Sequence, residues 1–116
     1  METTLYGITN CDAIKRARTW LKTMGIDYQL HDYKKLGCST HQARQFLDHL
    51  GMDAVLNRRG TTWRKLSDDQ KSDLTEDSVI LLMSEHPSLI KRPILQRKSD
   101  WLIGFDEPAW QNFFNS

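Results

Sequence analysis

The sequence is poor in cysteine, and two thiols in 116 residues exclude a fold held together by disulfides. The thiols are Cys11 and Cys38, and they and the four histidines are dispersed along the chain. No zinc-binding spacing such as CxxC or HExxH occurs. We therefore expect no metal cofactor, and we expect both thiols to be kept reduced in the cytoplasm.

Long apolar runs and an excess of one charge are also absent. No segment approaches the ~18 apolar residues of a membrane span, and the N-terminus lacks a signal peptide's basic and apolar regions. A net charge of +1 gives no chain-wide attraction to nucleic acid or to membranes. We therefore expect a cytoplasmic protein, a monomer of one domain, without nucleic-acid or membrane partners.

Apolar periodicity in the first third of the chain predicts a βαβ unit. Residues 4–8 form an apolar run that predicts a strand. Ile14, Ala17, Leu21 and Met24 have helical spacing, so we predict a helix that begins at Cys11 and stops at Gly25. Residues 28–33 alternate as a second strand does. A strand, a helix and a strand in ~30 residues imply a parallel pair.

The remainder predicts a helical insert followed by two strands and a helix. Capping-box spacing at Ser39–Gln42 and Ser67–Gln70 predicts two helix starts, and the apolar run over 75–84 predicts a buried helix. Residues 89–96 and 101–103 predict an antiparallel hairpin, and residues 106–114 a final helix with Pro108 in its first turn. The expected fold is α/β with a mixed sheet, in the order βαβ, helical insert, ββα.

Cys11 is the strongest candidate for chemistry, because it stands where a strand and a turn lead into a helix. The free N–H groups and the macrodipole of a helix start stabilise a thiolate, and Lys15 one turn later could add positive charge. A thiol with a lowered pKa is a nucleophile at neutral pH. Asn10 could bind an anion or simply favour the turn. The alternative for Cys11 itself is a buried, inert cysteine.

Three arginines are candidates for binding an anion. Arg92 precedes Pro93 in the predicted strand and could hold a carboxylate or an oxyanion in bidentate fashion, or it could be a solvated residue of an edge strand. Arg58 and Arg59 lie in a basic loop, which could capture an anion near the thiolate or could simply be solvated. Cys38 is either a resolving thiol or a bystander, since no activating partner is near it in the sequence.

Three sequence blocks carry a resemblance to a known family. The segments GITNCDAIKRA (residues 7–17), NRRGTTWRKL (57–66) and IKRPIL (90–95) resemble the ArsC/Spx family, and most of all its YffB-type subgroup of small bacterial proteins. The resemblance spans essentially the whole chain and implies a single ArsC-like domain over residues 1–116. It implies a thioredoxin-like core at about 1–36 and 86–116, with the helical insert at about 37–85.

The resemblance also implies roles for particular residues. Cys11 matches the nucleophilic cysteine of the family, Arg92 the arginine before its cis-proline, and Pro93 that proline. One arginine of Arg58 and Arg59 matches the second oxyanion-binding arginine, and the spacing to Trp63 slightly favours Arg59.

The function implied is a glutathione-dependent thiol–disulfide oxidoreductase, with glutathione as co-substrate and an oxidised thiol or an oxyanion as substrate. One alternative is an arsenate reductase. The resemblance implies that such an enzyme has a further arginine after its last strands, and residues 101–107 contain none. Another is an Spx-like regulator that binds RNA polymerase. Many such regulators carry a CxxC switch, but here Ile14 occupies the position of the second cysteine, so this disulfide cannot form. The last is a thioredoxin-like scaffold with a vestigial site.

Overall fold

The computed structural model describes residues 2–115, which divide into two compact units. The sheet unit contains the chain up to Leu36 and from Arg92 onward, and the helical unit contains Gly37–Lys91. The predicted insert ended near residue 85. The helical unit continues to Lys91 because Ile90 forms an antiparallel bridge with Leu56, and the Lys91 N–H donates to the Val55 carbonyl at 2.8 Å.

The sheet unit is built on four strands in the order β2-β1-β3-β4. β1 (Thr3–Gly7) runs parallel to β2 (Gln29–Asp32) and antiparallel to β3 (Ile94–Arg97), which pairs antiparallel with β4 (Asp100–Ile103). The predicted βαβ unit, the hairpin and the mixed sheet are therefore confirmed.

The strand predicted over 89–96 is wrong in its first half. A 3-10 turn occupies Pro87–Leu89, and the strand begins only at Ile94, after a proline that has no N–H for a ladder. β3 lies between β1 and β4, so the interpretation of Arg92 as a residue of an edge strand is wrong as well.

Two helices cover one face of this sheet: α1 (Asp12–Thr23) and α8 (Glu107–Asn115). Their shared core has no solvent exposure and consists of Leu5, Ile14, Ala17, Leu21, Leu95 and Trp110. The Trp110 indole N–H donates to the Gly104 carbonyl at 2.9 Å, which satisfies its one polar group inside the core. Met24, predicted on the buried face of α1, is 45% exposed, because the helix ends at Thr23 and Gly25 (φ 69°) turns the chain.

The helical unit consists of α3 (Thr40–Leu50), α4 (Met52–Val55), α5 (Thr61–Lys65), α6 (Asp68–Lys71) and α7 (Glu76–Glu85). Both predicted capping boxes, at Ser39 and at Ser67, are formed, and Thr75 forms a third with Ser78. Helix α5 and the single turn α2 (Tyr33–Leu36) of the sheet unit were not predicted, because segments this short cannot show a helical period in the sequence. Within residues 2–115, no helix combines the length and apolar character needed to cross a membrane.

Trp110 is expected to dominate the stability of the sheet unit. Its ring lies 4.9 Å from that of Phe105 and 5.7 Å from that of Trp20, both edge-on, and it has no exposure. Replacing Trp110 with Ala should lower the free energy of unfolding by about 3–5 kcal/mol, the usual cost of removing a buried aromatic ring. Urea unfolding measures this loss. Leu36→Ala, at a side chain that is 63% exposed, is the control, and equal losses in the two variants would contradict the assignment.

Candidate active site

Cys11 is the N-cap residue of α1. Strand β1 ends at Gly7, and a turn at Thr9 and Asn10 leads into Cys11, whose backbone is extended (φ −106°, ψ 131°). Its carbonyl accepts the first hydrogen bond of the helix from the Lys15 N–H at 3.0 Å. The side chain of an N-cap residue lies beside the first N–H groups of its helix, which have no partner within the helix. The half-exposed thiol is therefore at the positive end of α1, as the sequence predicts.

Opposing effects act on the pKa of Cys11, and the net result is a lowered value. Burial is the largest single effect and raises the pKa, because it disfavours the thiolate. The Ile14 N–H, the Arg92 guanidinium and the Ala13 N–H all favour the thiolate, and together they outweigh burial. The thiol closes no full capping hydrogen bond with the helix, so the two N–H groups act on the sulfur as polar neighbours.

Arg92 reaches Cys11 through the pairing of β1 with β3. The register places Ile94 opposite Tyr6, so the residues just before β3 lie at the carboxyl end of β1, where the chain turns toward Cys11. The half-buried Arg92 lies near the Cys11 sulfur, and its guanidinium lowers the pKa of Cys11 through hydrogen bonding and charge. The bond between Arg92 and the buried Pro93 is cis, as the resemblance implies.

Asn10 and Lys15 are both exposed. Lys15 takes part in the first turn of α1 through its backbone N–H, and its ammonium is not among the groups that shift the pKa of Cys11. Asn10 lies in the turn before the helix. Anion binding by these two side chains stays a prediction.

Arg58 and Arg59 belong to the helical unit, in the exposed loop between α4 and α5. The Arg58 guanidinium lies 3.6 Å from an Asp53 carboxylate oxygen and 5.9 Å from the Trp63 ring centroid. Within residues 2–115 the Arg59 guanidinium has neither a hydrogen bond nor an ion pair, while the Arg59 backbone N–H donates to Asn57 Oδ1 at 3.0 Å. Arg59 is the arginine of this pair that is available to a ligand, and its membership of the Cys11 site stays a prediction.

Cys38 has the opposite environment from Cys11. Its side chain is buried in the helical unit, and its Sγ lies 3.7 Å from the Ser39 carbonyl oxygen, to which the thiol donates. Burial raises the pKa of Cys38 to about 11. The thiol is therefore protonated at neutral pH, which favours the bystander interpretation.

The contribution of two backbone N–H groups, those of Ala13 and Ile14, was not predicted residue by residue. Their only sequence signal is their place in the first turn after Cys11. No group of three or more His, Cys, Asp or Glu side chains within residues 2–115 is placed to hold a metal ion.

Comparison with solved structures places the fold. A protein described as YFFB is 44% identical, with a TM-score of 0.91 over 95% of this chain and 96% of its own. An arsenate reductase (ArsC)-related protein from Brucella melitensis is 42% identical, with a TM-score of 0.75 over 100% of this chain and 97% of its own. A glutaredoxin from Archaeoglobus fulgidus, 16% identical, has a TM-score of 0.50 over 99% of this chain and 87% of its own. The predicted thioredoxin-like fold is confirmed.

Comparison of sequences gives a consistent result. The sequence profile of the ArsC family matches residues 6–113. An uncharacterized protein from Haemophilus influenzae is 40% identical over 96% of this chain and 97% of its own. The global transcriptional regulator Spx of Lactiplantibacillus plantarum is 26% identical over 94% of this chain and 83% of its own.

Alkylation of single-cysteine variants tests the lowered pKa of Cys11. In Cys38→Ser, the rate of reaction with iodoacetamide should reach half its maximum below the pH of ~8.5 typical of a free thiol, because the thiolate is the reactive form. Arg92→Ala should raise that midpoint, since it removes a charge and a hydrogen bond that favour the thiolate. The matched control is Arg97→Ala, at the far end of the strand β3 that follows Arg92. An unchanged midpoint in Arg92→Ala would contradict the contact.

Cys38 should make the protein less stable in alkali. Its folded-state pKa of about 11 lies above that of an unfolded thiol, so the folded state retains a proton that the unfolded state loses. This contribution to stability is complete below about pH 8.5 and is lost as the pH rises toward 11. The melting temperature of the wild type should therefore fall more steeply between pH 8 and pH 10.5 than that of Cys38→Ala. Parallel slopes would show that Cys38 is not buried as described.

Proposed function

Since the chain belongs to the ArsC family, we propose that it is a thiol–disulfide oxidoreductase that uses Cys11 as nucleophile and glutathione as co-substrate. One observation carries this proposal: the Cys11 thiol lies at the N-cap of α1 beside Arg92, and its pKa is lowered there. A lowered pKa increases the fraction of thiolate at any pH below it, and the thiolate is the form that attacks disulfides.

The reaction proceeds by two thiol–disulfide exchanges. The Cys11 thiolate attacks the glutathione sulfur of a mixed disulfide, the old S–S bond breaks, and the substrate leaves as a thiolate that takes a proton from water. The glutathione thiolate of a second molecule then attacks the glutathione sulfur on Cys11. Glutathione disulfide leaves and the Cys11 thiolate is regenerated. The two electrons that reduce the substrate come from glutathione, and the protein is unchanged at the end.

The resolving thiol has to come from outside the chain under this proposal. Ile14 occupies the position at which a CxxC disulfide would close, and Cys38 is buried and protonated at neutral pH. A small soluble thiol meets this requirement, because it can reach a half-exposed Cys11 directly. This supports glutathione as the co-substrate.

Glutathione carries two carboxylates, and the candidate anion-binding residues have the chemistry to hold them. In the proposal Arg92 and one arginine of Arg58 and Arg59 bind the carboxylates, since guanidinium matches carboxylate in bidentate geometry. Asn10 and Lys15 add a donor and a charge on the exposed side of the Cys11 turn.

Reduction of cysteine–glutathione disulfide by glutathione tests this function, with the formation of glutathione disulfide as the measurement. Wild type and Cys38→Ser should turn over at similar rates, while Cys11→Ser should fall to the uncatalysed rate. Arg92→Ala should lower kcat/KM about ten- to hundredfold, the usual worth of one hydrogen bond to a charged group. Mass spectrometry should also find glutathione bound to Cys11. Absence of that adduct together with absence of turnover would exclude the proposal.

Arsenate is a second candidate substrate, because the relative from Brucella melitensis is described as related to arsenate reductase. The same assay with arsenate in place of the disulfide separates the two. Under the first proposal, arsenate produces no more glutathione disulfide with wild type than with Cys11→Ser. Arsenate-dependent turnover above that control would favour the second candidate.

The similarity to the global transcriptional regulator Spx supports a third candidate, a regulator without catalysis, for which the family resemblance implies RNA polymerase as the partner. Under the first proposal, the purified protein retains no polymerase subunits from a lysate in either reducing or oxidising buffer. Specific retention combined with absent turnover would favour the regulator.

A further inference from the structure

Gly7, the last residue of β1, is buried at the point where the chain leaves the sheet toward Cys11. A methyl group at Gly7 would collide with Ile14 Cδ1 and lie 2.8 Å from Ile14 Cγ1, closer than real Cβ atoms approach other heavy atoms. It would also touch Arg92 Cβ at 3.9 Å, an ordinary contact distance. Gly7 is not one of the glycines with positive φ, so the missing side chain, rather than backbone freedom, is what this position requires.

The crowded partner, Ile14, is itself held in place. Its side chain has no solvent exposure and belongs to the core between the sheet and α1. A close-packed core offers little room for a displaced side chain. A methyl group at position 7 would therefore move the first turn of α1 away from β1 rather than merely turn Ile14 aside.

The same turn of the helix carries the groups that act on Cys11. The Ile14 N–H is the first of these, and Arg92, the other neighbour of Gly7, supplies the guanidinium. Polar contacts weaken steeply with distance and angle, so a small shift of the turn changes them appreciably.

We propose that Gly7 is a positioning residue: the space left by its missing side chain seats Ile14 against β1 and so places the first turn of α1, with the Cys11 sulfur at its N-cap, beside Arg92. This inference rests on the proposed function in one respect, that Cys11 is the nucleophile. Gly7 has no reactive group, and its role is to set the geometry of the site.

Iodoacetamide alkylation of Cys11 tests the proposal in a Cys38→Ser background. Gly7→Ala should raise the pKa of Cys11 by about one unit, which lowers the thiolate fraction about tenfold at pH values below the pKa. Adding Ile14→Ala removes both crowding atoms, so the double variant Gly7→Ala/Ile14→Ala should recover most of that reactivity. The control is Leu21→Ala, in the same core but at the other end of α1. It should lower the melting temperature and leave the pKa of Cys11 unchanged.

Two results would overturn the proposal. One is a folded Gly7→Ala with the wild-type pKa at Cys11. The other is an equal rise in pKa when Gly7→Ala is introduced into Ile14→Ala, since no crowding remains there. If Gly7→Ala alone does not fold, the comparison of the double variant with Ile14→Ala decides. Alkylation needs no glutathione, so failure of the glutathione assay would leave this result intact, and the converse also holds.

Discussion

The packing of the first turn of α1 on the carboxyl end of β1 is the contact on which the candidate site depends. Cys11 has its position because it caps this turn, and Ile14 anchors the turn in a core without solvent exposure. The next strand, β3, brings Arg92 to the same end of β1. One helix and two strands therefore define the surroundings of the sulfur. They meet at Gly7, where a side chain would collide with Ile14 and touch Arg92.

The two cysteines show how far environment decides reactivity. Burial disfavours the thiolate at both, but at Cys11 the N–H groups of the helix start and the Arg92 guanidinium oppose it, and at Cys38 nothing does. The pKa is lowered in one case and raised to about 11 in the other. A chain with one activated thiol and one inert thiol fits exchange with an external thiol better than an internal disulfide.

The helical unit combines local caps with a core that joins distant segments, since Leu56, Leu66, Leu82 and Leu89 form one buried cluster. Capping boxes begin three of its five helices, α3, α6 and α7, and an ion pair, Arg44 to Asp77 at 3.3 Å, joins α3 to α7 at the surface. Its loop holds Arg58 against Asp53 and Trp63, so the two neighbouring arginines are not equivalent. The slight preference of the sequence for Arg59 rested on spacing to Trp63, whereas the structure distinguishes the arginines by their partners.

Local chemistry made much of this protein predictable from the sequence by itself. Caps, apolar periodicity and the turn before Cys11 act over a few residues, and so the βαβ unit, the hairpin, the capped helices and the N-terminal place of Cys11 were all predicted. Tertiary structure alone decided what depends on contacts between distant segments. These are the burial of Cys38 and the meeting of Arg92 with Cys11. The physical reason is that strand register and core packing join residues far apart in the chain, and no local pattern records such pairings.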